Sequence, residues 1–336
     1  MFKYILKRLG LMLLTLFIIF VVCFILIKLL PHNVPEGTTP LQQALIDEKM
    51  EALGYNKHIL EQLWIYLVNI FTKWDWGISW HVQRLENPVD ILSSRLLPTI
   101  MINLYSLFLS IPIGLAIGIY AALKKDKWQD MTISIFIMVF ISLPSFINAF
   151  LLQYFFAFKL PWFDFLMVGI QSVKGLRIPA NQLIDAYIIG DFFKPIMLRS
   201  IMLPIFALSF GSIAGLARGI RAELTEALTS DYMLLARTKG LTKRQATVKH
   251  ALKNSMVPIL PGIIGMFVGI IGGSIIIEKM FGIPGVGELF IIAINLRDYD
   301  VFMYTMFFYT IIGLISGILI DLSYGFLDPR IRMGER

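Results

Sequence analysis

Cysteine and charge are the scarce components of this chain. Its 336 residues include one cysteine, Cys23, which excludes an internal disulfide and any zinc site built from thiolates. Only 16% of the residues are charged, against about 25% in soluble domains. Disordered and nucleic-acid-binding chains need far more charge than this. Histidine is rare too: His32, His58, His81 and His250 are scattered, and no His-Glu-x-x-His pair occurs. A Gly-x-Ser-x-Gly elbow is also missing. No metal set and no nucleophile constellation remains, so the chain does not read as an enzyme.

Apolar residues take the place of the missing charge. They make up 57% of the chain, with 26 Phe and 16 Met, and the mean hydropathy is +0.73. A soluble protein would have nowhere to put so much apolar surface. The composition therefore predicts an all-α integral membrane protein.

Crossing the hydrocarbon takes about 20 mostly apolar residues in a helix. Six stretches qualify, over 9–30, 97–123, 131–158, 201–217, 256–277 and 301–327. A seventh run, 160–170, contains Asp164 and is too short to cross. The first stretch follows Lys3, Lys7 and Arg8 as a signal peptide would, but no small-x-small cleavage site comes after Leu30. It is expected to be a retained helix that stops at Pro31-His32-Asn33-Val34-Pro35. The resulting division is a first transmembrane helix at 1–30, an extracellular segment at 31–96, a five-helix core at 97–327 and a tail at 328–336.

The charges orient these spans. With both termini in the cytosol, the inner segments 1–8, 124–130, 218–254 and 328–336 carry 17 Lys or Arg in 61 residues. The outer segments 31–97, 159–197 and 278–301 carry 11 in 130. The inside is thus about three times as basic per residue, as the positive-inside rule requires. Acidic residues divide the other way, 15 outside and 7 inside. The net charge of +7 is therefore a topology signal with attraction to anionic lipid, and predicts no nucleic-acid partner.

Within the spans, small residues recur at every fourth position. The sets are Gly114-Gly118-Ala122, Gly211-Gly215-Gly219, Gly265-Gly269-Gly273 and Gly313-Gly317, with Gly325 beyond. This spacing predicts close helix packing, and faces that slide in a transport cycle would look the same. Pro112, Pro144, Pro204, Pro258 and Pro261 should kink their spans. Two ionisable groups lie inside the spans: Lys28, expected to snorkel to the outer interface, and Asp321, expected to serve structure near Arg330 and Arg332. No chain of buried acids suggests ion coupling. The run Gly282-Ile283-Pro284-Gly285-Val286-Gly287 lacks the Lys-Ser/Thr of a phosphate loop and reads as a tight extracellular turn. Trp64, Trp74, Trp76 and Trp80 in the first outer segment suit either a small helical cap or interfacial anchoring.

The inner loop 218–254 is the most patterned part of the chain. Leu224, Leu228, Tyr232 and Leu235 recur at helical spacing, Gly240 interrupts them, and Thr242 is placed to cap a second helix through Gln245, Val248 and Leu252. Such a helix-turn-helix suits docking into a protein groove. An amphipathic pair lying on anionic lipid fits the same pattern.

Asp231-Tyr232-Met233-Leu234-Leu235-Ala236-Arg237-Thr238-Lys239-Gly240-Leu241, followed by His250-Ala251-Leu252-Lys253-Asn254 and Pro258, resembles the EAA loop of ABC-importer permeases. The likeness is to the oligopeptide/dipeptide/nickel, binding-protein-dependent branch. Further matches run along the chain: Leu53-Gly54-Tyr55-Asn56-Lys57, Trp76-Gly77-Ile78-Ser79, Leu96-Leu97-Pro98-Thr99, Ser142-Leu143-Pro144-Ser145-Phe146, Phe281 to Gly287, Arg297-Asp298-Tyr299 and Leu327 to Arg332. The sequence departs from the family at Thr238, where Ala is usual, and at Leu234-Leu235, where polar residues often occur.

The resemblance implies a type I ABC-importer permease fold of six transmembrane helices with a cytosolic coupling helix-turn-helix, in a bacterial or archaeal cell membrane. It implies import of oligopeptides or dipeptides, with nickel or metallophore import by the same architecture as an alternative. An ion-coupled secondary transporter working alone is the alternative from another class. The implied partners are a second homologous permease, two cytosolic ABC ATPases and an extracellular or periplasmic binding protein. ATP and magnesium would be bound by the ATPases, with no cofactor on this chain. Ala236, Arg237, Lys239, Gly240, Leu241 and His250 are implied as coupling residues, Gly240 supplying the turn, Ala236 close approach and Leu241 an apolar anchor.

Overall fold

The computed structural model describes residues 2–30, 39–163 and 195–327, and side chains over 6–30, 39–163 and 198–323. The expected stop at Pro31–Pro35, Asp164 with most of its apolar run, and the tail with Arg330 and Arg332 lie outside these residues. All regular elements among the described residues are helical. They are α1 (Phe2–Lys28), α2 (Pro40–Ala52), α3 (Ile59–Lys73), α4 (Pro88–Leu123), α5 (Trp128–Ser142) and α6 (Ser145–Lys159). After them come α7 (Pro195–Thr229), α8 (Asp231–Thr238), α9 (Lys243–Ser255), α10 (Leu260–Gly272), α11 (Ile275–Phe281), α12 (Val286–Asn295) and α13 (Tyr299–Leu327).

Four stretches are long and apolar enough to cross a membrane unbroken: Leu6–Lys28, Pro88–Leu123, Leu198–Thr229 and Tyr299–Ser323. The expected third span is instead a bent pair, and the expected fifth is α10, set at an angle to α9, which lies before it in the inner loop; by length and composition six is reached only if each bent pair counts as one. α5 and α6 meet at 101°, and α9 and α10 at 54°. The first break follows from Pro144, because proline pushes the residue before it out of the helical region. Leu143 accordingly sits at φ −77°, ψ 122°. Pro258 lies in the second break. Pro112 and Pro204, also expected to kink, remain inside the continuous helices α4 and α7. The fifth span stops at Gly272 rather than 277, because Gly273 adopts φ +64° and starts a new direction.

α4 begins nine residues before the span expected from Leu97. Asn87 caps it, its Oδ1 accepting from the Val89 N–H at 2.9 Å, and Pro88 occupies the first turn, where no N–H is needed. α4 and α7 lie together along most of their length. The Gly114-Gly118-Ala122 face makes this contact: a Cβ on Gly118 would lie 2.7 Å from the Ala217 carbonyl oxygen and 2.9 Å from the Ile220 Cβ. The other small-residue sets do not behave as one class. Gly219 meets Ile259 and Gly265 meets Ile320, whereas Gly211, Gly215, Gly269, Gly313 and Gly317 have no neighbour within 4 Å of a Cβ position among the described residues.

An aromatic cluster joins α1, α3 and α13. Trp76 is fully buried at its centre, against Phe20, Tyr66, Tyr304 and Phe307. The four tryptophans therefore divide: Trp76 and Trp80 are core, while Trp64 and Trp74 are exposed. Lys28, at the end of α1, turns its side chain toward the 39–86 segment. Its ammonium rests 3.9 Å from the centre of the Tyr55 ring, a cation–π contact that holds α1 to the outer segment. Asp321 pairs with Arg8 at 2.6 Å, tying the first helix to the last.

Candidate functional site

α7 stays helical past the membrane stretch until Ser230, whose extended backbone (φ −75°, ψ 152°) breaks it and starts α8. The single amphipathic helix expected here is thus two. Its buried side is Leu224, Ala227, Met233 and Ala236, with Leu228 and Tyr232 packed against them. Leu235, expected on that side, faces out instead, because the break at Ser230 shifts the helical phase.

Gly240 ends α8 in the left-handed region at φ +89°, which residues with a Cβ rarely adopt. Its N–H donates to the Arg237 carbonyl at 3.0 Å, and the Leu241 N–H donates to the Ala236 carbonyl at 3.3 Å. This pair of bonds is the Schellman stop. Thr242 then opens α9 with a capping box. Its Oγ1 accepts from the Gln245 N–H at 3.3 Å, and its own N–H donates to Gln245 Oε1 at 3.0 Å. Leu241, between the two caps, packs against the buried cluster that includes Ala236 of α8 and Ala246 and Ala251 of α9. Leu241 is thereby a staple within the motif and only half accessible from outside.

Of the residues implied for coupling, Ala236 is buried and Arg237, Lys239, Gly240 and His250 are exposed. The apolar side chains turned outward on this motif are Leu234, Leu235 and Val248, at 66%, 56% and 57% exposure. Arg221 anchors the base of the motif. Its guanidinium donates through two nitrogens to Asp130 on α5, at 2.5 and 2.8 Å.

A second arrangement lies at the other end of α4, about 35 Å away at 1.5 Å per residue from Ala122 to Thr99. Glu278 on α11 is buried, and its carboxyl group accepts from Thr99 Oγ1 at 3.0 Å and the Ser274 N–H at 3.3 Å. It also accepts from the Glu288 N–H at 3.1 Å. Thr99 Oγ1 in turn accepts from the Val286 N–H at 2.9 Å. Gly273, Gly285 and Gly287 leave the room this carboxyl group fills. The glycine-rich run is indeed a tight turn, and the anion its N–H groups meet is the chain's own Glu278. Burial pushes Glu278 up to about 7, against the opposing pull of its hydrogen bonds. Burial also raises Glu288, which Arg95, only 3% exposed, pulls back through an ion pair at 3.3 Å.

Nearby, Asp298 Oδ2 accepts from Ser79 Oγ at 2.6 Å and from the His81 and Val82 N–H groups at 2.8 and 2.9 Å. Asp300 accepts from the Ile78 N–H at 3.1 Å. Four separated motifs, Leu-Pro-Thr, Trp-Gly-Ile-Ser, the glycine-rich turn and Arg-Asp-Tyr, thus converge on three carboxyl groups. Sequence reading assigned no role to Glu278, Glu288 or Asp300. The available signal was an acidic residue at the edge of an apolar run beside Gly and Pro.

Comparison with known proteins places these features in a wider set. Residues 114–333 match the model of the binding-protein-dependent transport system inner membrane component, and residues 1–84 match its N-terminal companion. The dipeptide transport system permease protein of Lactococcus lactis subsp. cremoris is 32% identical, over 99% of this chain and 100% of that protein. The dipeptide transport system permease protein of Bacillus subtilis is also 32% identical, over the whole of both chains. The glutathione transport system permease protein of Escherichia coli is 29% identical over 99% of each. One solved structure, an amino acid ABC transporter with histidines, aligns at a TM-score of 0.47 and 20% identity, over 70% of this chain and 94% of that one.

Proposed function

The chain belongs to the family of binding-protein-dependent transport system inner membrane components, and from that premise we propose that it is the permease subunit of an ATP-driven peptide importer. It is a multi-pass membrane protein and a transporter rather than a catalytic subunit. Relatives named for dipeptide and glutathione transport, aligned from end to end, support peptide as the substrate class.

In this reading α5–α6 together form the third span and α10 the fifth, giving six, with α9 left in the cytosolic helix-turn-helix and both termini in the cytosol. Residues 1–30 hold the first transmembrane helix, 31–96 are extracellular, 97–327 form the permease core and 328–336 the tail. The spans pair with those of a second, similar permease to enclose the pathway. Two ATPase subunits bind ATP and magnesium below, and a binding protein delivers substrate above.

The observation that carries the proposal is a helix-turn-helix that is internally satisfied yet turns Leu234, Leu235 and Val248 outward beside Arg237, Lys239 and His250. A motif built for its own stability alone would bury those apolar groups. Docked in a groove of an ATPase, it transmits closure of the ATPase dimer to the spans. α7 is the lever: 35 residues long, about 52 Å, it runs unbroken from the bundle to the motif. Arg221 couples it to α5, and the Gly118 contact couples it to α4.

The test is Leu235→Asp combined with Val248→Asp. Both sites are exposed, so the permease should reach the membrane at its normal level. Recovery of the ATPase on purification should fall about tenfold or more, as expected for loss of a buried apolar anchor, with uptake lost alongside. Excision of 231–254 should give the same result. A lone carrier would keep transport in both, and that outcome removes the proposal.

A further inference from the structure

A groove lies where the end of α4, the 124–127 turn, the last turn of α7 and the starts of α8 and α9 come together. Four cations line it: Lys125, Lys127, Arg237 and Lys243, with Asp231 the one acid. None of the four cations has an ion pair among the described residues. Hydroxyl groups of Thr225, Thr229, Ser230 and Thr247 line it as well, and Thr225 Oγ1 is buried with no hydrogen-bond partner among the described residues. Ser230 spends its hydroxyl on the Ala227 carbonyl at 2.6 Å, which leaves the N–H groups of the first turn of α8 without a side-chain cap.

The walls are not uniformly polar. Ala122, Leu123, Leu228, Met233 and Leu234 supply an apolar side, and Trp128 stands exposed at the start of α5. This edge is where α4 leaves the apolar core and α5 re-enters it. A ligand that fills the groove must carry an anionic head with several acceptor oxygens and an apolar portion leading back toward the bundle. We propose that the groove binds the headgroup of an anionic phospholipid, seated between the 124–127 turn and the helix-turn-helix. A free phosphate would satisfy the cations but leave the apolar wall and Trp128 unused. An acidic segment of a docked protein is the other rival, and the experiment separates all three.

The full chain is purified as the wild type, as Lys125→Gln with Lys127→Gln, and as Lys125→Arg with Lys127→Arg. Arg237 and Leu234 of this groove also belong to the face implicated in ATPase docking, but neither lysine does, so lysine substitution tests the lipid site apart from that reading. Native mass spectrometry counts retained phosphatidylglycerol against phosphatidylcholine, with inorganic phosphate as competitor. The wild type and the arginine variant should retain phosphatidylglycerol selectively. The glutamine variant should bind it about thirtyfold more weakly, since each of the two lysines near an anionic headgroup contributes about 1 kcal/mol. Phosphate should not displace it. Equal retention by the glutamine variant overturns the proposal, as does displacement by phosphate. Loss of ATPase recovery from the glutamine variant in lipid-free detergent would assign the groove to protein instead and overturn it too.

Discussion

Glu278 draws the Leu-Pro-Thr turn of α4, the end of α10 and the glycine-rich turn onto one carboxyl group. Its stability contribution has a definite sign. A glutamate titrates near 4.5 when unfolded, and burial raises Glu278 to about 7 in the fold. Between those values the folded protein holds a proton that the unfolded chain has released. Stability from this group is therefore complete below about 4.5 and is lost as pH rises toward about 7. The full shift corresponds to about 3 kcal/mol at most. Thermal unfolding in detergent from pH 4.5 to 7.5 should show this decline in the wild type, and Glu278→Gln should flatten it. An unchanged slope in the variant would assign the pH dependence elsewhere. The neighbouring cage obeys similar steric logic: Gly77 sits at φ +84° with the Asp300 carboxyl group where a Cβ would stand.

At the scale of elements, the turn between α8 and α9 shows how two local signals set a global geometry. Gly240 stops one helix and Thr242 starts the next, and Leu241 between them packs against the cluster the two helices share. Gly240→Pro forces φ near −65°, more than 150° from the observed +89°, and removes the N–H that Arg237 accepts. The expected result is loss of uptake with the protein still in the membrane, because the spans themselves do not pass through this turn. Undiminished uptake would end the coupling role of the motif. Gly240→Ala should be milder, costing on the order of 1 kcal/mol for a left-handed residue with a Cβ.

For the whole molecule, orientation follows from charge and can be read with one reagent. Cys23 is the sole cysteine, so Cys23→Ser provides a clean background. Lys57→Cys lies in the segment assigned outside and Lys239→Cys in the one assigned to the cytosol, and both positions are exposed. A membrane-impermeant maleimide should label the first in intact cells and the second only after permeabilisation. The reverse pattern would invert the topology.

Much of this was written in local sequence. Apolar runs, basic loops, a helix-stopping glycine and a capping threonine act over a few residues, so the hydrophobic spans, their charge bias and the helix-turn-helix were legible from residues alone. The family resemblance was legible too, in short motifs spread from Leu53 to Arg332. What those motifs do for one another was not. Pro144 and Pro112 look alike in sequence, but one bends the chain by 101° and the other continues a helix. Lys28 carries the same snorkelling signature wherever it occurs, and only the fold set the Tyr55 ring against its ammonium. Glu278, Asp298 and Asp300 gain their roles from partners about 180 to 220 residues away. Local chemistry determines where a chain turns and which face it buries. Which buried carboxyl group meets which N–H depends on packing between distant segments, and that the tertiary structure alone decided.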